Sequence, residues 1–143
     1  MAFITRIKYE LAQMKNMESN NIYSLQPTSN LHEWKGSIVG PEDSLYSGRT
    51  FELHIMLPSN YPITAPIVKF ITPIKHVNVN THGDICLDIL KNEWKPTHNL
   101  MSIMMSVFYL LMQPNFDDAF NDELVQLYRN DKRAYEKAIQ NCS

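Results

Sequence analysis

Little in this chain could staple, anchor or strongly charge it. Its 143 residues include only two cysteines, Cys86 in the middle and Cys142 next to the end, too few for a disulfide-stapled fold and not spaced to hold a metal. A charge of one sign is also missing. The 13 basic and 15 acidic residues give a formal net charge of −2 and are mixed along the chain, so there is no basic field of the kind that draws in nucleic acid or a membrane surface. Partners are therefore expected to be proteins. No stretch approaches the roughly 18 apolar residues of a membrane span, and the opening MAFITRIKYELAQMK is broken by Arg6, Lys8 and Glu10 before a signal-like apolar run develops. The expectation is a soluble monomer of the cytoplasm or nucleus, without a targeting signal. Repeats, linkers and low-complexity tracts are absent as well. With 44% apolar and 20% charged residues, the composition is that of one folded domain, 1–143, able to bury a core without metal or disulfides.

Ile4, Ile7, Leu11 and Met14 recur at helical spacing with Arg6, Lys8, Glu10 and Lys15 between them, which predicts an amphipathic opening helix over 2–16. A polar stretch, Met17 to Asn21, follows. Short segments of strand character come next at 22–25 and 33–39, separated by turn residues. Gly40-Pro41-Glu42-Asp43-Ser44 and Ser47-Gly48 read as loop, after which Phe51, Leu53, Ile55 and Leu57 alternate with Glu52, His54 and Met56 as a half-buried strand should. Pro58 ends that strand, Tyr61-Pro62-Ile63-Thr64-Ala65-Pro66 forbids regular structure, and 67–70 reads as a fourth short strand. From Ile71 to Asn99 there is little periodicity, and so long a loop in a compact domain is usually functional. Asn99 then caps an apolar helix over 100–112, ended by Pro114, and two more helices follow near 121–129 and 131–140. Strands grouped ahead of helices predict an α+β domain, a four-stranded antiparallel meander with one helix before it and three after it.

The long loop holds Asn78, Asn80, Gly83, Cys86, Asp88, Trp94 and Pro96. Cys86 lies in the run GDICLDIL, and a lone cysteine among Ile and Leu reads first as a small buried hydrophobe. Asp84 and Asp88 would be poorly placed in a core, and the irregular Asn-rich run before them suits a site, so a nucleophile is an equal reading. Nothing local clearly lowers the pKa of such a thiol: Asp84, Asp88 and Glu93 are acidic, and only Lys91 and Lys95 are basic. Hydrolysis needs a base and an orienting partner, with His76, His82 or His98 as candidates for the base. Exchange with an already activated thioester needs much less. Acyl carrying fits these residues better than hydrolysis. On the helix over 100–112, Met101, Met105 and Tyr109 form one apolar stripe and Leu100, Ile103, Met104 and Val107 another; one helix can hardly bury both, and the second is the better core candidate.

Tyr61-Pro62 with Pro66, His76-x-Asn78, Gly83-x-Ile85-Cys86-Leu87-Asp88-Ile89-Leu90 and Trp94-x-Pro96 together resemble the core of the ubiquitin-conjugating enzyme family. The match extends through Trp34, Gly40-Pro41, Tyr46, Gly48 and Phe51 on one side and Pro114-Asn115-x-Asp117-Asp118 on the other. Several motifs at compatible spacing multiply their improbabilities. The resemblance implies that Cys86 takes the carboxyl end of ubiquitin from an activating enzyme by thioester exchange and passes it to a substrate lysine or a ligase, with no metal and no other cofactor. It implies Asn78 as a donor to the oxyanion or a brace for the adjacent loop, and Asp118 as the carboxylate that positions the incoming lysine and helps it lose its proton. His76 is implied as a loop brace and not a base. Asp88 is placed to touch the ubiquitin tail, and the face carrying Met105 to receive the linked ubiquitin as it folds back. The activating enzyme and ligases would meet the opening helix and the loops around Ile63 and Pro96, with Arg6 and Lys8 as cationic contacts, although basic residues on an exposed helix are usually just solvated.

The chain departs from the family pattern in places. Val77 stands where the family usually has proline, which restores a backbone donor and frees φ, so the loop is expected to be less fixed by its own sequence. Ala65 replaces a common second proline and Ile63 a common aromatic, which leaves the ligase class open. Tyr23 lies near the surface where some members bind a second ubiquitin through a small residue, and its ring is expected to block that mode. Cys142 matches no catalytic position and reads as an unpaired bystander. By the same resemblance the chain has the minimal form of the family, without a tail. Two other readings stand beside this one. A carrier of a different ubiquitin-like modifier is one, although the insertion after Leu90 that marks the SUMO type is absent; a non-catalytic ubiquitin-binding scaffold is the other, although such variants lack the cysteine.

Overall fold

A computed structural model describes residues 2–16 and 21–142. The helices and strands follow in the predicted order: α1 (Ala2–Asn16), β1 (Tyr23–Pro27), β2 (Glu33–Val39), β3 (Thr50–Met56), β4 (Ile67–Phe70), α2 (Leu100–Met112), α3 (Asp122–Asn130) and α4 (Lys132–Gln140). One turn of 3₁₀ helix, Asp88–Leu90, interrupts the segment that reads as continuous loop. The polar stretch beginning at Met17 lies outside the described residues as far as Asn20.

The sheet is the expected antiparallel meander, in the order β1-β2-β3-β4. Alternation sets its two faces: Phe51, Leu53 and Ile55 of β3 are buried while Thr50, Glu52 and Met56 are exposed. The buried face meets α2, whose Leu100, Ile103, Met104, Val107 and Leu111 are all buried. A Cβ added at Gly36 of β2 would stand 3.2 Å from Met104 Cε, a measure of how closely the helix lies on the sheet. Of the two apolar stripes on α2, the core takes the one expected. Met101 and Met105 are half-buried, and Tyr109 is 59% exposed.

Two expectations about facing are corrected. On α1, Ile4 points outward, and the inward face runs through Phe3, Ile7, Leu11 and Met14; Phe3 stacks on His32 at 4.0 Å between ring centroids, a contact that helical spacing alone could not reveal. On β1, Tyr23 pairs with Ile38 and Leu25 with Gly36, so the Tyr23 ring packs against the core. The outward residue is Ser24, whose Oγ lies 2.6 Å from Ser37 Oγ across the strand pair. With a side-chain period of two, one position decides the face, and the Tyr23 ring does not cover the outer surface.

Glu10, His76 and Asn78 are the buried polar side chains among the described residues, and two of them pin the ends of α2. Glu10 Oε1 accepts from the Leu100 N–H at 2.9 Å, a donor of the first helical turn that has no intrahelical partner. Its Oε2 accepts from Arg6 Nε at 2.9 Å and from the Tyr61 hydroxyl. A carboxylate at a helix N-terminus also meets the positive end of the helix dipole. Asn99 completes that end with a capping box to Ser102. At the other end, about 20 Å away for a 13-residue helix, His76 Nε2 donates to the Leu110 carbonyl at 2.9 Å, and Nδ1 accepts from the Asn78 N–H at 3.0 Å. These partners require the neutral imidazole protonated on Nε2.

Glu10→Ala would leave the Tyr61 hydroxyl and the Leu100 N–H without an acceptor and the Arg6 guanidinium without its counter-charge. A loss of about 3–5 kcal/mol in urea unfolding is expected, with Glu10→Gln costing less; an unchanged midpoint for Glu10→Ala would show that this cluster stabilises nothing. Burial holds the folded His76 pKa at about 4, against the Leu110 hydrogen bond, which acts the other way. An unfolded histidine takes up its proton near 6.5, so as pH falls the unfolded chain is protonated first. The stability His76 contributes is complete above about pH 6.5 and is lost as pH drops towards 4, amounting to roughly 3 kcal/mol at the acid end. Unfolding free energies between these two pH values should carry about one proton of slope in wild type and lose it in His76→Gln.

Candidate active site

The loop that carries Cys86 is built by short-range bonds against β4. Gly83 sits at φ +86°, its carbonyl accepts from the Phe70 N–H at 2.9 Å, and a Cβ there would fall 2.2 Å from the Phe70 oxygen. Only glycine lets the turn lie this close. Asn80 Oδ1 accepts from the His82 and Asp84 N–H groups, both at 2.9 Å, closing the turn from inside. Val79 then bridges to Ile85, and the Cys86 N–H donates to the Asn78 carbonyl at 2.8 Å, so Asn78 and Cys86 lie side by side on two short antiparallel segments.

Cys86 is only 5% exposed, as a small hydrophobe would be, yet its thiol has two charged neighbours. The 3₁₀ turn headed by exposed Asp88 folds the chain back, with the Lys91 N–H on the Asp88 carbonyl at 3.0 Å. This brings Lys91 Nζ to 3.3 Å from Cys86 Sγ. The Asp118 carboxylate is the second charged group that acts on the thiol. Burial pushes the thiol pKa up and Asp118 adds to that, while Lys91 pulls against both; the thiol stays above its ordinary range. The Lys91 ammonium is stabilised in turn, first by its hydrogen bond to Cys86.

Asn78 is fully buried and its amide is fully used. Nδ2 donates to the Asn115 and Asp118 carbonyls, both at 2.8 Å, and Oδ1 accepts from the Asn115 N–H at 2.8 Å. Both amide hydrogens therefore hold the loop that carries Asp118, and neither is free for an oxyanion in this arrangement. Val77 is held by packing and by bonds from another part of the chain. Its side chain is completely buried, and its carbonyl accepts from the Phe120 N–H at 2.7 Å and the Asn121 N–H at 3.1 Å.

No histidine hydrogen-bonds to Cys86 among the described residues. His76 is committed to Leu110 and Asn78, His98 Nδ1 accepts from the Lys95 N–H at 3.1 Å, and His82 is exposed. The base and orienter that hydrolysis requires are not assembled. Leu87, beside Cys86, lines a shallow groove with Ser106, Tyr109, Leu110 and Gln113, so the outer side of α2 is continuous with the site.

The structure also brings the predicted docking elements together. Ile63 is 68% exposed and Pro96 is exposed; Trp94 Nε1 donates to the Pro62 carbonyl at 2.9 Å, tying the two loops to each other. Arg6 turns inward: Nε donates to Glu10, Nη1 to the Pro96 carbonyl and Nη2 to the His98 carbonyl. Its charge holds that face together, and exposed Lys8 is left to present one. Sequence reasoning missed Glu10 and the place of Lys91. An acid three residues after Ile7 on the apolar stripe of α1 was a usable signal for the first; for the second, the fold-back of the 3₁₀ turn left no trace in residue spacing.

The ubiquitin-conjugating enzyme family matches residues 6–143 of this chain. The chain is also 48% identical over 141 residues to the probable ubiquitin-conjugating enzyme E2 L460 of Acanthamoeba polyphaga mimivirus, across 96% of this chain and 89% of that protein. With a fold that agrees and a site cysteine in the matching motif, the chain belongs to the ubiquitin-conjugating enzyme family.

Proposed function

We propose that this transferase accepts the carboxyl end of ubiquitin from the activating enzyme as a thioester on Cys86 and discharges it to a substrate lysine or a ligase. The observation that carries this reading is a buried thiol with Lys91 3.3 Å away, the Asp118 charge acting on it, and no histidine hydrogen-bonded to it among the described residues. In charging, Cys86 Sγ attacks the thioester carbonyl brought by the activating enzyme, the old C–S bond breaks, and the departing sulfur takes up the proton that Cys86 loses. No metal or redox partner is needed. Lys91 favours the thiolate as it forms, which partly offsets burial and Asp118.

In discharge the amine nitrogen attacks the carbonyl carbon, the bond to Sγ breaks, and Asp118 takes the proton that the ammonium must shed. Asn78 acts as a positioning residue through the backbone of the 115–118 loop. Asp88, exposed two residues beyond the thiol, suits the ubiquitin tail, and the half-buried Met105 with exposed Tyr109 suits the body of the linked ubiquitin. Ile63 and Pro96 suit a ligase, on a face that Arg6 holds in shape. The enzyme works as a monomer and does not bind nucleic acid or membranes.

With ubiquitin, activating enzyme and ATP, wild type should give a thiol-sensitive adduct one ubiquitin heavier on a non-reducing gel. Cys86→Ala should give none, and Cys86→Ser an adduct that resists thiols; absence of any adduct in wild type would refute the carrier reading. Asp118→Ala should charge normally but discharge to free lysine about 10²-fold more slowly near neutral pH. That deficit should shrink as pH approaches about 10, where lysine loses its proton unaided. Asn78→Ala should lower both the discharge rate and the hydrogen-exchange protection of 115–118; slow discharge with protection intact would return its amide to the oxyanion.

A further inference from the structure

An exposed aromatic ring beside a reactive sulfur calls for a reason. Phe120 is 43% exposed, two residues beyond Asp118, and its backbone is fixed by donation of its N–H to the Val77 carbonyl at 2.7 Å. Lys91 Nζ lies 5.5 Å from the centre of the Phe120 ring and 3.3 Å from Cys86 Sγ. The resting enzyme thus already keeps a primary alkylammonium between this ring and the sulfur, where the Asp118 charge also favours it. The electron-rich face of an aromatic ring attracts such a cation.

Resting on the proposed discharge to lysine, we infer that Phe120 is a specificity-determining residue, the platform that receives the ammonium of the acceptor lysine. Lys91 is the internal occupant of the same place, which the acceptor must displace. The two cations are chemically the same: a four-carbon stem that lies along an apolar surface and a head that binds ring and carboxylate. The ring acts on binding and not on bond making, because it favours the charged amine, whereas attack needs the neutral one. Asp118 removes the proton; the amine nitrogen then bonds to the thioester carbon, and Sγ leaves as the thiolate and recovers a proton. Phe120 therefore lowers the lysine concentration needed and leaves the maximal rate alone.

The test uses the preformed thioester of the full chain, with charging stopped, and follows initial discharge against free lysine and, separately, against hydroxylamine, which is uncharged near pH 7.5. In the Lys91→Gln background, where no internal ammonium competes for the ring, Phe120→Leu should raise the half-saturating lysine concentration about two- to five-fold, the range of a partly exposed cation–π contact, with the maximal rate and the hydroxylamine reaction unchanged. Phe120→Tyr in the same background should keep the value seen with Phe120. Lys91→Gln should lower the half-saturating concentration, and do so less in the Phe120→Leu background, because the competition is for the ring. The proposal is overturned if, in the Lys91→Gln background, Phe120→Leu leaves the lysine curve in place, or if hydroxylamine discharge falls by the same factor, which would make the ring a support for the loop. Failure of wild type to charge would instead refute the thioester reading beneath it.

Discussion

A carboxylate buried as completely as Glu10 must find donors within the protein, because desolvating an unpaired charge costs far more than the fold can offset. The donors it finds come from three separate parts of the chain. Leu100 is the start of α2, Tyr61 opens the loop that carries Ile63, and Arg6 reaches past the carboxylate to the carbonyls of Pro96 and His98. One ionised group therefore fixes the entry of the central helix and the whole face made by α1 and two loops. At the far end of α2 the Leu110 carbonyl holds His76, His76 holds the Asn78 backbone, and the Asn78 amide holds the loop of Asp118. The helix between is rigid and packed on the sheet, so the positions of Ile63 and of Asp118 refer to the same rod.

The electrostatics of Cys86 suit a carrier better than a hydrolase. A thiol whose pKa is raised is a poorer leaving group once acylated, so under the proposed carrier role an acyl group on Cys86 would resist adventitious water and wait for a better nucleophile. Charging would still proceed under that role, because an incoming group that is already a thioester needs little activation for the exchange. Lys91 and Asp118 pull the thiol in opposite directions, and on the proposed reading Asp118 then serves the second half-reaction, where it meets an ammonium. A strongly depressed thiol pKa would weaken this arrangement, since a good leaving group would give up its acyl group to any nucleophile.

Much of this was legible in the sequence. The period-two run from Phe51 to Leu57 and the apolar stripe of α2 gave element type and burial, because side-chain spacing maps directly onto a sheet face or a helix stripe. The motif around Cys86 pointed to the chemistry through resemblance. What stayed hidden depends on contacts made across the chain. Arg6 reads as a solvated helix cation until residues 90 and 92 positions away supply their carbonyls. Tyr23 reads as outward-facing until the register with Ile38 is known. Asn78 reads as either an oxyanion donor or a loop brace until Asn115 and Asp118 fold onto its amide.

Val77 shows how packing can replace a local rule. A proline at this position would fix φ through its ring; valine gives up that constraint and gains a branched side chain that is completely buried, with χ1 itself restricted by the branching. The carbonyl that follows is then held by two N–H groups, from Phe120 and Asn121. Those bonds attach the Cys86 loop to the segment after Asp118 at a second place, beyond the Asn78 amide. Two attachments on either side of Asp118 stop the carboxylate from swinging about either one, so the stiffness a proline would give to one residue is spread over the whole segment facing the thiol.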